Sequence, residues 1–125
     1  MKGFSLIEVI IALALVLVTL LIFGVAVSSL PLARGARDQN IAYHIAGKKL
    51  EDLRHTAFAQ LPPSGSFSDP ALANLPSGAD ANLTVANYQS SSSIKQATVV
   101  VSWTENGTAE SVTMDTLIAS GGISQ

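Results

Sequence analysis

The sequence predicts an α+β fold in which one long N-terminal helix packs on a small antiparallel β-sheet. Three observations predict it. Residues 9–27 are apolar except for one threonine and one glycine. An amphipathic pattern of helical period follows them, and two β-rich runs flank Asn106-Gly107 near the C-terminus. The chain has 125 residues, which leaves room for a single small domain beside the apolar helix.

The apolar run has about the 20 residues that a helix needs to span a hydrocarbon core. A cleaved secretory signal is the alternative, but it requires a shorter apolar core and a small-x-small cleavage site, which "AVS" at residues 26–28 resembles only weakly. We therefore predict a membrane-spanning segment. Lys2 precedes it, whereas Arg34 and Arg37 follow it, so the charge pattern opposes a simple positive-inside orientation.

Glu8 stands at the start of this apolar run. A carboxylate at the centre of a bilayer costs about 2.5 to 3.5 kcal/mol on insertion scales, so Glu8 is expected to have a partner. The simpler interpretation is an interfacial residue in the first helical turn, where the helix dipole favours a negative charge.

The stretch "KGFSLIEV" combines a basic residue, Gly3, the hydrophobic Phe4 and Glu8 four residues later, followed by an unbroken apolar helix. This pattern resembles the N-terminal signature of type IV pilins and type II secretion pseudopilins. The resemblance implies that prepilin peptidase cleaves between Gly3 and Phe4 and methylates the new N-terminus. It also implies that Glu8 faces the Phe4 amine of a neighbouring subunit, which sets the register of docking. The N-terminus would lie in the cytoplasm and the C-terminal domain outside it.

We divide the chain into a leader (residues 1–3), a transmembrane and assembly half of the helix (4–30), an amphipathic half (31–61), an irregular connecting loop (62–82) and a β-sheet with a C-terminal tail (83–125). Pro31 would kink or locally melt the helix. The family is lollipop-shaped, and the resemblance implies that shape here. The apolar stripe that is predicted to lie on the sheet consists of Ala42, Ala46, Leu50, Leu53, Ala57 and Leu61.

In the sheet, Asn106-Gly107 predicts a type I′ hairpin turn. If Glu105 pairs with Thr108, then Val101 faces Val112 and Val99 faces Met114, which places the apolar residues of both strands on one face. Trp103 continues that face, so we interpret it as a core anchor and not as an exposed recognition residue. A third strand is predicted around residues 83–89.

The sequence offers no catalytic or cofactor site. His44 and His55 would lie about 16 Å apart on the predicted helix, too far to share a metal. Asp69 and Asp80 could help to bind calcium, as the resemblance to pseudopilins would allow, but two isolated acids are too few to predict a site. No phosphate loop or nucleophile motif is present. The net charge of −2, without a Lys/Arg cluster, argues against nucleic acid as a partner. Because the chain has no cysteine, its domain must be held by packing alone.

These observations and the resemblance lead to one expectation: a minor pilin or pseudopilin, not an enzyme, without cofactors or metals. Its partners would be other pilins or pseudopilins, prepilin peptidase and the inner-membrane assembly platform. It would reside in the cytoplasmic membrane and then in the fibre. The sequence leaves open whether that fibre is a type IV pilus or belongs to a type II secretion system. A membrane-anchored binding module that never polymerises is the alternative from another class.

Overall fold

The computed structural model describes residues 2–121, without the side chains of residues 29–31. Met1 of the predicted leader and residues 122–125 of the predicted tail therefore lie outside the described residues. Helix α1 spans Leu6–His55. The four strands form one antiparallel sheet in the order β1-β2-β3-β4, which confirms the α+β prediction. Their bounds are Gly65–Ser66 (β1), Asp80–Asn87 (β2), Ile94–Glu105 (β3) and Thr108–Ala119 (β4).

The chain divides into two compact units, and the boundary between Gly35 and Ala36 falls within α1. In the first unit the apolar side chains of the helix are exposed along its length. Two hydroxyls in this unit bond back to the helix: Thr19 Oγ1 donates to the Leu15 carbonyl at 2.8 Å, and Ser28 Oγ donates to the Val25 carbonyl at 2.9 Å. These polar groups are thereby satisfied within the segment, as a membrane span requires.

Helix α1 continues through Pro31, so the local melting that was one expectation for this position is wrong. Proline has no backbone N–H, so one helical hydrogen bond is lost. Its fixed φ is compatible with helical geometry, so the helix continues. The kink stays a prediction.

In the second unit, the apolar face of α1 packs on the sheet. The four predicted stripe residues Ala42, Ala46, Leu50 and Leu53 are buried, and so is Ile45, which the predicted stripe left out. The helix ends at His55 and not near residue 61, so Ala57 and Leu61 lie outside it. Two consecutive prolines follow Leu61, whose extended backbone (ψ 131°) is the conformation that a residue before proline prefers.

The β3–β4 hairpin has the predicted register. Glu105 pairs with Thr108, Val101 with Val112 and Val99 with Met114. Asn106 (φ 50°) and Gly107 (φ 80°) both have the positive φ of a type I′ turn. One face of the hairpin therefore packs under α1. Its buried residues are Ala97, Val99, Val101, Trp103, Val112, Thr116 and Ile118.

The connection over residues 62–82 is more ordered than the predicted irregular loop. It contains β1, a short 3₁₀-helix (Pro70–Asn74) and the first residues of β2, which begins at Asp80 and not near Leu83. Strand β1 pairs with β2, and Ser64 Oγ accepts a further hydrogen bond from the Val85 amide at 2.8 Å. Residues 80–83 alternate polar and apolar side chains, and the apolar two, Ala81 and Leu83, are buried, which is the pattern of a half-buried strand.

Asp69 attaches this connection to α1. Its Oδ1 accepts from the Ala71 amide at 2.8 Å and so caps the 3₁₀-helix, while its Oδ2 lies 3.2 Å from Lys48 Nζ. The hydrogen bond from the Ala71 amide is the main cause of the lowered pKa of Asp69. The Lys48 ammonium lowers this pKa further, and partial burial opposes both effects.

We expect Asp69 to stabilise the fold in a pH-dependent way. Because the pKa of Asp69 in the folded protein lies below its ordinary value of 3.8, its charge stabilises the protein fully above that pH and progressively less as the pH falls toward the folded pKa. Asp69→Ala, which removes the cap and the ion pair, should cost about 1 kcal/mol near neutral pH. Asp69→Asn should cost less, since its amide oxygen still accepts from Ala71.

The measurement is urea unfolding of the full chain in detergent between pH 3 and pH 7. The matched control is Asp52→Asn, because Asp52 is exposed on the same helix and its carboxylate makes no ion pair among the described residues. A difference between wild type and Asp69→Asn that stays constant down to pH 3 would contradict the prediction.

Candidate functional site

The candidate site lies at the start of α1, around Glu8. Between Lys2 and Arg34, Glu8 is the only charged residue of the sequence. It lies in the first helical turn with its side chain exposed, and its backbone amide donates to the Ser5 carbonyl at 3.0 Å. Among residues 2–121, no cation lies within ion-pair distance of its carboxylate. Within the part of the chain that the structure describes, the site therefore holds one carboxylate, without a counter-charge, on an apolar surface.

A shallow groove runs beside Glu8 along one face of the helix. Ala12 and Val16 follow Glu8 at successive four-residue steps, so the small Ala12 side chain lies between larger ones. Side chains in such rows form the ridges and grooves into which a second helix packs. The residues that line the groove are Phe4, Glu8, Val9, Ala12, Leu13 and Val16.

Gly3 and Phe4, the predicted cleavage position, precede the helix. Residues 2–5 have no regular secondary structure, and Phe4 is 84% exposed, so the bond between Gly3 and Phe4 is accessible. A Cβ added at Gly3 would meet no atom within 4 Å, and the φ of Gly3 is not positive. Neither packing nor backbone conformation within this chain explains a glycine here.

Helix α1, which carries Glu8, is long and apolar enough to cross a membrane, which indicates membrane anchoring by length and composition. The apolar side chains that surround Glu8 are exposed within this chain, so they are available to lipid or to other helices. These exposed residues include Leu6, Ile7, Val9, Ile10 and Leu13.

Trp103, the other predicted site residue, lies in the core of the second unit and is 4% exposed. It is therefore not an exposed recognition residue. Its indole Nε1 is buried without a hydrogen-bond partner among the described residues. A buried donor without an acceptor costs free energy, so Trp103 stabilises the core by its apolar surface and not by its polar atom.

The second unit also contains both histidines. His44 and His55 are both exposed, and His55 Nε2 lies 3.2 Å from Glu51 Oε1 on the same helix. Arg54, which the sequence did not single out, donates from Nε and Nη2 to the buried Thr116 Oγ1 at 3.2 and 3.0 Å and so joins α1 to β4. Within residues 2–121, no three His, Asp or Glu side chains are grouped so that they could hold a metal ion.

Comparison of the chain with protein-family models, with curated proteins and with solved structures finds no match in any of the three.

Proposed function

We propose that this chain is a minor pilin or pseudopilin, a structural subunit that is processed between Gly3 and Phe4 and assembled through α1 into a type IV pilus fibre. The observation that carries the proposal is Glu8: a lone carboxylate on an exposed apolar helix, directly after the "KGF" stretch. Its partners are other pilins or pseudopilins, prepilin peptidase and the inner-membrane assembly platform.

Electrostatics explains why assembly would use this arrangement. An unpaired charge in an apolar environment is heavily penalised, whereas a matched pair with good geometry is not. Cleavage after Gly3 creates an amine on Phe4, which would neutralise Glu8 of a neighbouring subunit when the apolar helices pack together. Because the attraction in low dielectric depends strongly on distance, the pair selects one axial position of the helices over its alternatives.

The location follows from the same proposal. Before assembly, the subunit spans the cytoplasmic membrane once, with the C-terminal domain outside the cytoplasm. It then leaves the bilayer for the fibre, where other α1 helices replace the lipid. A minor pseudopilin of a type II secretion system would use the same N-terminal features. A minor pilin and a minor pseudopilin differ in the other subunits with which they assemble.

The experiment is the intact mass, with N-terminal sequencing, of the full chain purified from the membranes of its own host. We expect a chain that begins at Phe4 and carries one additional methyl group. Gly3→Ala should abolish this processing, and Ser5→Ala should not. Since a Cβ at Gly3 meets nothing within 4 Å, a defect of Gly3→Ala would report recognition by the peptidase and not misfolding.

An intact Met1 terminus in cells whose prepilin peptidase is active would overturn the proposal. Glu8 would then be an interfacial residue of the first helical turn, and a membrane-anchored binding module would be the better account of the chain.

A further inference from the structure

The second unit contains a groove that is lined by residues of α1 and of the 3₁₀-helix Pro70–Asn74. The lining residues are Arg37, Asn40, Ile41, His44, Ala71 and Asn74. The volume of the groove is about 460 Å³, within the range of about 300–1,000 Å³ that is usual for small-molecule sites. None of these side chains is acidic, whereas the arginine, the histidine and both asparagines carry N–H donors. The groove is therefore suited to an anionic group that is rich in hydrogen-bond acceptors.

Arg37 is the cation of this groove, and its guanidinium is available to a ligand. The side chain is exposed, and among residues 2–121 it forms neither an ion pair nor a side-chain hydrogen bond. Asn40 and His44 follow Arg37 at steps of three and four residues, so the three side chains share one face of α1. This face presents several donors to the same space.

Two acids lie near the groove in sequence, and neither neutralises Arg37. Asp38 follows Arg37 directly, but it is buried, and one residue turns the helix by about 100°. Asp69 precedes Ala71 by two residues, but its Oδ1 accepts from the Ala71 amide at 2.8 Å and its Oδ2 lies 3.2 Å from Lys48 Nζ. The positive charge of Arg37 therefore stays available.

The position of Arg37 in the chain indicates where an anion would come from. The predicted span ends at residue 30, seven residues before Arg37, and seven residues of α1 correspond to about 10 Å along the helix axis. The headgroup region extends about 5–7 Å beyond the hydrocarbon core on each side of a bilayer. An arginine can span the remaining distance, because its long apolar stem carries the guanidinium well away from the backbone.

We propose that this groove binds the phosphate of an anionic phospholipid headgroup, with Arg37 as the main contact and the side-chain amides of Asn40 and Asn74 as further donors. A guanidinium presents its donors in a planar fork that matches phosphate oxygens. An anionic membrane surface also attracts a nearby basic side chain. The contact gives a physical reason for an arginine after the span, which the positive-inside pattern disfavours when the C-terminal domain lies outside the cytoplasm.

The contact goes beyond assembly, because it concerns the subunit before it enters a fibre. It holds the C-terminal domain at the bilayer surface and is lost when the subunit leaves the bilayer. The inference rests on the membrane span of α1 and not on processing at Gly3, so its test and the mass measurement fail independently.

The test is a titration of the full chain, labelled with ¹⁵N in maltoside micelles, with dihexanoyl phosphatidylglycerol. The readout is the NMR signals of the side-chain amides of Asn40 and Asn74, which we expect to shift and to saturate. Dihexanoyl phosphatidylcholine, whose headgroup has no net charge, should bind more weakly, and so should inorganic phosphate, which does not concentrate in the micelle.

Variants of Arg37 make the result specific. Arg37→Gln should weaken phosphatidylglycerol binding at least about tenfold, because it removes charge-assisted hydrogen bonds. Arg37→Lys should lie between this variant and wild type, since it keeps the charge but not the fork of donors. Lys95→Gln is the matched control: it removes one positive charge from β3, outside the groove, so the affinity should stay within about twofold of wild type. Far-UV circular dichroism checks that each variant is folded.

Shifts that do not saturate would overturn the inference, and so would an Arg37→Gln variant that binds phosphatidylglycerol as tightly as wild type. Equal affinity for phosphatidylcholine would show that the negative charge of the headgroup is not recognised. Equal affinity for inorganic phosphate would identify a site for a soluble anion. Either of these two results would also contradict a site for an anionic lipid.

Discussion

Replacing Trp103 by alanine is expected to lower the free energy of unfolding by about 3–5 kcal/mol, the cost of removing a large aromatic side chain from a packed core. Trp103 is 4% exposed and belongs to the cluster in which α1 meets the sheet. The measurement is urea unfolding of the full chain in detergent, followed by far-UV circular dichroism. Fluorescence is unsuitable, because the substitution removes the only tryptophan of the chain.

Trp103→Phe is the informative control. Phenylalanine keeps an apolar ring in the core and removes the buried Nε1 donor that has no partner among the described residues. Eliminating such a donor recovers about 1–3 kcal/mol of desolvation cost, so Trp103→Phe should be far less destabilising than Trp103→Ala. Tyr43→Ala should change stability by less than about 0.5 kcal/mol, since Tyr43 is a surface residue of α1 that is 48% exposed. A Trp103→Phe variant as unstable as Trp103→Ala would contradict this prediction.

Glu8→Gln is expected to reduce incorporation of the subunit into fibres at least about 100-fold. The substitution preserves the size of the side chain but removes its charge, so in the proposed fibre the Phe4 amine of the neighbour stays buried and unpaired. Breaking a buried pair in this way costs about 3–5 kcal/mol, and about 1.4 kcal/mol corresponds to a factor of ten. The measurement is the amount of the chain in sheared fibres relative to the amount in membranes.

The control is Glu51→Gln, the same chemical change on the same helix. Glu51 is exposed in the second unit and pairs only with Arg54 and His55 among the described residues, so its loss should leave incorporation unchanged. The mass of Glu8→Gln must also show a chain that begins at Phe4, which separates assembly from processing. Normal incorporation of Glu8→Gln would refute the assembly role of this carboxylate.

The features of the fold that the sequence predicted are those specified by local patterns. The Asn106-Gly107 turn and the alternation around it determine the register of β3 and β4, and helical spacing identifies four of the buried residues of α1. The predicted helix end lies beyond the observed one, because the apolar spacing continues through Ala57 and Leu61 to the residue before Pro62 and Pro63. The two prolines explain the extended backbone of Leu61, but they do not explain why the helix ends at His55.

Other features depend on tertiary contacts and have no local signal. Strand β1 has two residues, and it is a strand only because β2 lies beside it. The bonds from Lys48 to Asp69 and from Arg54 to Thr116 join residues that are 21 and 62 positions apart in the chain. The candidate site is a third case: the resemblance identifies Gly3 and Phe4, whereas the charge of Glu8 beside an apolar run identifies Glu8. Their proposed partners belong to other molecules, so no pattern within this chain fixes the geometry of those contacts.

The hairpin has a consequence for the order of folding. Its two strands are 12 residues each and are separated by only two turn residues, both already suited to positive φ, so closing this loop costs little entropy. Hairpins of this kind form in about 1–10 μs. The pairing of β1 with β2 and the docking of α1 require contacts between more distant parts of the sequence. We therefore expect β3 and β4 to form the folding nucleus, so that the sheet grows outward from the turn and the second half of α1 docks on a surface that already exists.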